Sequence, residues 1–114
     1  MREYHIYMQR TKRTEWHCDY SIYKWLPWEY VGYVEGTKEL YTYFKLKFPY
    51  STRSINFYHS FNYFDSEYVR TDNDWDFMYY PHEYHRYLIM DDYGNVRDFH
   101  QLTKKYKKKY YRTY

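Results

Sequence analysis

The sequence contains no alanine, one cysteine, three glycines and three prolines among its 114 residues. Alanine is the strongest helix former and the residue that lets helices approach closely, so its absence argues against a helical bundle. The lone Cys18 cannot form an intrachain disulfide, which argues against the cysteine framework of small secreted domains. Three glycines also leave little room for a glycine-rich loop that cradles a phosphate.

Long apolar segments are missing as well. No stretch approaches the roughly 18 consecutive apolar residues that a membrane-spanning helix needs. Arg2, Glu3 and His5 interrupt any apolar run that starts at Met1, so the N-terminus does not resemble a signal peptide. We therefore expect a soluble protein of a reducing compartment, the cytoplasm, with no membrane partner.

Aromatic residues dominate what is present. They make up 28% of the chain, with 21 Tyr, 7 Phe and 4 Trp. Leu, Ile, Val and Phe together supply only 20 residues, a proportion typical of disordered proteins. Net charge is only +3, however, and aromatic side chains bury large apolar areas. A chain of this length predicts a single folded domain over residues 1–114 with an aromatic core.

Charge is unevenly distributed along the chain. Residues 104–114 carry five Lys, one Arg and no acid, hence +6, whereas the rest of the chain carries −3. A basic segment on a mildly acidic body is typical of proteins with a polyanionic or acidic partner, although a solvated, frayed C-terminus has the same composition.

The clearest pattern lies in residues 30–48. A period of two indicates a half-buried strand, because successive side chains of a strand leave on opposite faces. Gly36, within residues 35–38, can adopt the positive φ of a tight turn after a first strand near residues 30–34. We therefore predict a hairpin over residues 30–48. Its second strand would place Leu40, Thr42, Phe44, Leu46 and Phe48 on the buried face, and Tyr41, Tyr43, Lys45 and Lys47 on the exposed face.

A second hairpin is predicted over residues 87–99, where β-prone residues flank a turn that contains Gly94 and Asn95. Asp98 can cap a C-terminal helix after it. That helix would carry an apolar stripe at spacings of 3, 4 and 4, formed by Phe99, Leu102, Tyr106 and Tyr110. The resulting fold class is α+β, a small antiparallel sheet of four to six strands with a C-terminal amphipathic helix.

The remaining segments have weaker patterns. Residues 4–8 predict a first strand, with Tyr4, Ile6 and Met8 on one face. The expectations for the others are a loop or strand end at 9–14, a short helical turn within 15–28, a strand at 54–64, an exposed loop at 65–76 and a short strand at 77–80.

The spacing of potential metal ligands and catalytic residues does not match that of known motifs. His17 and Cys18 are adjacent and would point apart on a strand, and His82 and His85 lack the i, i+4 spacing of a helical zinc motif. Acidic residues of 72–83 match an EF-hand at loop positions 1, 3, 5 and 12, but Phe77 stands where that loop needs glycine. No nucleophile elbow or paired-carboxylate motif is present. We expect no metal, no cofactor and no enzymatic activity.

Tyrosine beside lysine or arginine is the most suggestive combination, because tyrosine offers a rigid amphipathic contact and stacks on unpaired bases while the cations bind phosphates. Two places combine these residues: the predicted exposed face of the 40–48 strand and the C-terminal segment. The candidate binding residues are Tyr41, Tyr43, Lys45, Lys47, Lys104, Lys105, Lys107, Lys108, Tyr110, Tyr111 and Arg112.

The sequence thus favours a non-enzymatic binding protein that acts through a tyrosine-rich, partly basic surface. Size and composition resemble those of the stoichiometric inhibitors that phages and mobile elements encode, anti-CRISPR and anti-restriction proteins among them, whose partners are proteins or nucleoprotein complexes. The alternatives are a module that binds RNA or single-stranded DNA directly and, third, a small metal-assisted enzyme.

Overall fold

The computed structural model of this chain describes residues 2–16, 21–53, 55–59, 68–71 and 85–107. In these residues the strands are β1 (Glu3–Trp16), β2 (Ser21–Trp25), β3 (Glu29–Glu35), β4 (Tyr68–Thr71), β5 (His85–Asp91) and β6 (Val96–Arg97), and the helices are α1 (Gly36–Lys47), α2 (Phe99–Leu102) and α3 (Lys104–Lys107). The fold is α+β. Among the described helices, none is both long enough and apolar enough to cross a membrane.

β1 organises the sheet, because every part of it pairs with another strand. Its first half pairs with both β3 and β5, which therefore lie on its opposite edges, and its second half pairs with β2. β4 extends the sheet beyond β2, and β6 extends it beyond β5. All of these strand pairs are antiparallel.

Helix α1 covers the inner face of the sheet, which we define as the face that carries Tyr4 and Ile6 of β1. Directly paired residues share a face, so Tyr87 and Ile89 of β5 join them. Phe44 of α1 packs at the centre of this aromatic core, edge-on to the rings of its neighbours. The buried cluster consists of Tyr4, Ile6, Leu40, Phe44, Ile55, Tyr87, Ile89 and Phe99.

Near β2, a second buried region encloses a cation on the other face of the sheet. The Arg86 guanidinium carbon lies 4.0 Å from the ring centroid of Trp25 and 3.9 Å from that of Tyr58. Its Nε donates a 2.6 Å hydrogen bond to the side-chain oxygen of Gln9, whose own amide donates to the Leu26 carbonyl. These contacts hold the loop between β2 and β3 against β1 and β5.

The predicted 30–48 hairpin is half wrong. Residues 29–35 do form a strand, and Gly36 has a positive φ of +84°, but this glycine begins a helix instead of a turn. Leu40 and Phe44 are four residues apart, so they satisfy a period of two and a helical period equally well. Leu46, which the strand pattern assigned to the buried face, is 78% exposed. The helical period describes this segment because Leu40 and Phe44 are buried whereas Thr42 and Leu46, which the strand pattern also assigned to the buried face, are exposed.

Three weaker expectations for the first 71 residues predicted less strand than the structure contains. Residues 9–14 continue β1, and residues 21–25 form β2 in place of a helical turn. Residues 68–71 form β4 inside the segment expected to be a loop. In each case pairing with a neighbouring strand overrides a weak local preference. The expected first strand at 4–8 is confirmed as part of β1.

The segment expected to be a strand at 54–64 forms one parallel bridge, Phe57 to Tyr87, within its described part. The expected strand at 77–80 lies outside the described residues. The C-terminal helix is not continuous: α2 ends at Leu102, the backbone turns at Thr103, and α3 follows. Asp98 caps α2 as expected, its carboxylate accepting from the His100 backbone N–H at 3.0 Å.

The second hairpin is confirmed. β5 ends at Asp91, Gly94 has a φ of +80° in the turn, and β6 returns at residues 96–97. One Asp91 oxygen accepts from the backbone N–H groups of Tyr93 and Asn95, and the other accepts from Arg97 at 3.2 Å. The hydrogen bond from Asn95, with those from Tyr93 and Arg97, holds the pKa of Asp91 below its ordinary value.

Replacing Phe44 with alanine removes the ring at the centre of the inner-face core. We expect this substitution to lower the free energy of unfolding by about 3–5 kcal/mol. Leu46→Ala, two residues away on the solvent side of α1, should change it by about 0.5 kcal/mol or less. Urea unfolding of the two variants measures the difference. Similar losses of unfolding free energy for both variants would contradict the helix and support the strand that the sequence predicted.

Asp91→Asn tests the carboxylate in the turn between β5 and β6. Because the folded-state pKa is lowered, the ionised group stabilises the fold above the unfolded-state pKa of about 3.9, and this contribution is lost as pH falls toward the folded-state pKa. The variant should therefore have a lower urea midpoint than the parent at neutral pH, and the two midpoints should begin to converge below about pH 4 and become equal below the folded-state pKa. A gap that persists unchanged in acid would contradict the role of the charge.

Candidate binding surfaces

Helix α1 distributes the first group of predicted binding residues over two flanks, because residues four apart lie above one another on a helix. Tyr41 and Lys45 lie on one flank, and Tyr43 and Lys47 lie on the other, with the buried Leu40–Phe44 stripe between them. The premise that these four side chains share one exposed face was therefore wrong. Both tyrosines are half-buried against the core.

The flank with Tyr43 is tied to the core. The Lys47 ammonium lies 5.7 Å from the ring centroid of Tyr43 and 5.6 Å from that of Tyr87. Burial opposes its charge, but Tyr87 and Tyr43 outweigh this effect and raise the pKa of Lys47. Burial in turn raises the pKa of Tyr87. Lys47 thus helps to cover the polar end of a buried tyrosine.

The flank with Tyr41 brings the two predicted sites together. Tyr41 stacks on Tyr106 of α3 with the ring centroids 5.5 Å apart, and the Lys105 ammonium lies 5.1 Å from the Tyr106 ring. A hydrogen bond with Thr37 and the nearby charge of Lys105 lower the pKa of Tyr106. We define the basic flank as Tyr41, Lys45, Lys104, Lys105 and Tyr106.

The remaining predicted binding residues of the C-terminal segment lie beyond this flank. Lys107 ends α3, and the predicted binding residues Lys108, Tyr110, Tyr111 and Arg112 lie outside the described residues.

A group of exposed aromatic side chains on the other face of the sheet was not predicted as a site. We define the outer surface as Glu3, His5, Tyr7, Tyr30, Tyr33 and Asp92, on the face of the sheet opposite α1. Tyr30 and Tyr33 of β3 are 53% and 55% exposed. Their backbones pair with Tyr7 and His5 of β1, so all four rings project on the same side.

A β-bulge makes this arrangement possible. Residues three apart on a regular strand point to opposite faces. The pairing of β3 with β1 shifts by one residue between Gly32 and Tyr30, which leaves Val31 as the extra residue, and Gly32 has a φ of +151°. The bulge turns Tyr30 and Tyr33 to the same face, as bulges commonly re-aim side chains. The sequence marks this position only by Gly32.

The rings of the outer surface contact one another. Tyr7 lies edge-on to Tyr30 at 5.2 Å, and the His5 ring is 5.9 Å and 6.0 Å from those of Tyr30 and Tyr33. The Tyr30 hydroxyl shares a 2.8 Å hydrogen bond with Nδ1 of His5. Burial raises the pKa of Tyr30, with further contributions from Tyr7 and the charge of Glu3. The phenol of Tyr30 is therefore neutral at neutral pH, and β1 and β3 hold the rings of this surface in place.

Carboxylates lie at one end of the outer surface. Nε2 of His5 lies 3.7 Å from a Glu3 oxygen and 3.8 Å from an Asp92 oxygen. The backbone N–H of Glu3 donates to the other Asp92 oxygen at 3.1 Å. The three potential ligand atoms lie within 4.8 Å of one another. Three partly exposed ligands fall short of the closed four-ligand shell of a structural zinc site, so we assign no metal site here.

The histidine and cysteine pairs whose spacing argued against a metal site lie mostly outside the described residues. His17, Cys18 and His82 lie outside the described residues, and His85 is exposed at the start of β5. Comparison with known proteins finds no matching family model, no similar curated protein and no similar solved structure. Function is therefore inferred from the two surfaces.

Proposed function

We propose that this protein is a non-enzymatic binding protein and that it acts by covering a partner's surface with its outer surface. The observation that carries the proposal is the contiguous group of His5, Tyr7, Tyr30 and Tyr33, in which the two β3 tyrosines are more than half exposed. Large aromatic side chains held together and left in solvent commonly mark an interaction site.

Energetic reasons favour tyrosine at such a site. Its side chain has few rotatable bonds, so binding immobilises little additional freedom, and each ring offers both an apolar face and a polar hydroxyl. Here β1 and β3 fix the backbones, and the hydrogen bond between Tyr30 and His5 orients one ring further. A preorganised aromatic surface of this kind provides the anchors that dominate protein–protein affinity.

By analogy with small inhibitory proteins of similar size and idiosyncratic composition, we extend the proposal to stoichiometric inhibition of a protein or nucleoprotein machine, in the style of anti-CRISPR and anti-restriction proteins of phages and mobile elements. A stoichiometric inhibitor needs a rigid binding surface and no catalytic residues. Inhibition by such a protein should saturate at a fixed molar ratio to its target.

Tyr30→Ser/Tyr33→Ser tests the outer surface against Tyr50→Ser, a matched control because Tyr50 is 99% exposed and lies after α1. The double variant should weaken partner binding by about 2 kcal/mol or more, whereas its free energy of unfolding should change by about 1 kcal/mol or less. Affinity capture from a cell lysate, with and without nuclease, followed by mass spectrometry, compares partner binding. Thermal melts compare the stability of the variants. Capture of the same proteins by the double variant and the parent would rule out this surface.

A second candidate function, direct binding of single-stranded nucleic acid, is favoured by the basic flank. Tyr41 and Tyr106 stack there, and Lys104 and Lys105 are exposed beside them. Aromatic rings next to lysines suit unpaired bases and their phosphates. This function would use the α1 side of the molecule and leave the outer surface free.

Lys104→Gln/Lys105→Gln tests this second function by fluorescence anisotropy with a labelled oligouridylate. Affinity should fall, and the slope of log affinity against log salt should decrease by roughly 0.7 for each phosphate contact removed. Lys12→Gln/Lys24→Gln is the matched control, because it removes the same charge from a directly paired position on β1 and β2. Equal effects of the two double variants would show that only net charge matters.

A further inference from the structure

One end of the outer surface, together with the adjacent Glu35, carries an unfavourable concentration of negative charge. Glu3 and Glu35 are directly paired across β1 and β3, and like charges in that position destabilise a sheet. Asp92 adds a third carboxylate, since one of its oxygens accepts from the Glu3 backbone N–H. A positively charged ligand would relieve the repulsion among these groups.

Neighbouring basic side chains compensate this charge only in part. His5 lies 3.7 Å and 3.8 Å from the Glu3 and Asp92 oxygens, distances longer than a hydrogen bond. Arg2, next in sequence, lies over the ring of Tyr93 at 5.9 Å. Lys38 lines an open recess of about 330 Å³ together with Glu35. In the described part of the chain, none of the three residues His5, Arg2 and Lys38 forms a direct hydrogen bond with a carboxylate of this group.

Beside the carboxylates, Tyr33 and Tyr30 offer aromatic rings. A tyrosine ring attracts ammonium and guanidinium groups through its quadrupole, and arginine is the more frequent partner. Arg86, between Trp25 and Tyr58, shows that this chain already uses such packing in its interior. Rings and carboxylates side by side form a surface complementary to arginine and lysine side chains.

We infer that the partner of the outer surface is a protein that presents a basic segment, with arginine or lysine side chains against Tyr30 and Tyr33 and with Glu3 and Asp92 as their counter-ions. This inference rests on the proposed function and names the chemistry of its partner. Nucleic acid is disfavoured at this surface, because its phosphates would approach three carboxylates and be repelled.

The direct test uses a fluorescein-labelled peptide of four Arg-Thr repeats and fluorescence anisotropy in the presence of EDTA. Glu3→Gln/Asp92→Asn removes two charges with little change in shape. Glu29→Gln/Glu39→Gln is the matched control, since Glu29 is ion-paired with Arg10 at 2.7 Å and Glu39 lies in the first turn of α1. Both double variants have the same net charge, and thermal melts verify that both fold.

We expect the parent to bind the peptide with an affinity that falls as salt rises. Glu3→Gln/Asp92→Asn should weaken binding about three- to tenfold, Tyr33→Ser should weaken it similarly, and the control should bind like the parent. A peptide of Gln-Thr repeats should not bind. The inference is overturned if the parent fails to bind the arginine peptide, if both charge variants bind equally, or if oligouridylate binds in a way that depends on Tyr33.

Failure of this inference is distinguishable from failure of the proposed function. If Glu3→Gln/Asp92→Asn still captures the partner that Tyr30→Ser/Tyr33→Ser has lost, the outer surface is a binding site but its partner is not basic. If neither variant loses the partner, the outer surface is not the binding site, and both proposals are wrong.

Discussion

The packing of the Phe44 ring on the inner face of the sheet is the contact on which the rest of the structure depends. This ring is fully buried, and it meets Phe57, Tyr87 and Phe99 at centroid distances of 4.9–5.3 Å. Because this ring holds α1 against β1 and β5, one face of the sheet is buried in the core. Where β1 pairs with β3, the other face therefore remains available for Tyr30, Tyr33 and the carboxylates beside them.

The high tyrosine content follows from the use of tyrosine both in the buried core and on the exposed surface. Tyr4 and Tyr87 are core residues with less than 5% exposure, whereas Tyr30 and Tyr33 are more than half exposed. Aromatic rings meeting edge-on fill the space between helix and sheet that small aliphatic residues fill elsewhere. At the core boundary, the Tyr106 hydroxyl forms a hydrogen bond with Thr37, and the Lys47 ammonium lies 5.6 Å from the ring centroid of Tyr87.

Local signals in the sequence were sufficient to predict the α+β class, the strand at residues 4–8, the hairpin with Gly94 and the Asp98 cap. Each of these depends on residues that are close together in the sequence. The helix at residues 36–47 was not predictable in this way, since Leu40 and Phe44 fit both periods and only contact with the sheet decides between them. The outer surface was even less predictable from local signals, because it depends on how distant strands pair. Tyr30 and Tyr33 share a face only through the bulge at Val31, and Glu3 meets Asp92 only through pairing of β1 with β5.

Two surfaces of opposite charge thus lie on opposite sides of the sheet, and the central claim is that the acidic, aromatic one binds the partner. Titration of ¹⁵N-labelled protein with the Arg-Thr peptide, followed by two-dimensional NMR, tests this claim residue by residue. We predict that shifts of backbone amide signals concentrate at residues 3–7, 30–35 and 92–93. Shifts concentrated instead at residues 41–45 and 104–106, on the basic flank, would contradict the account.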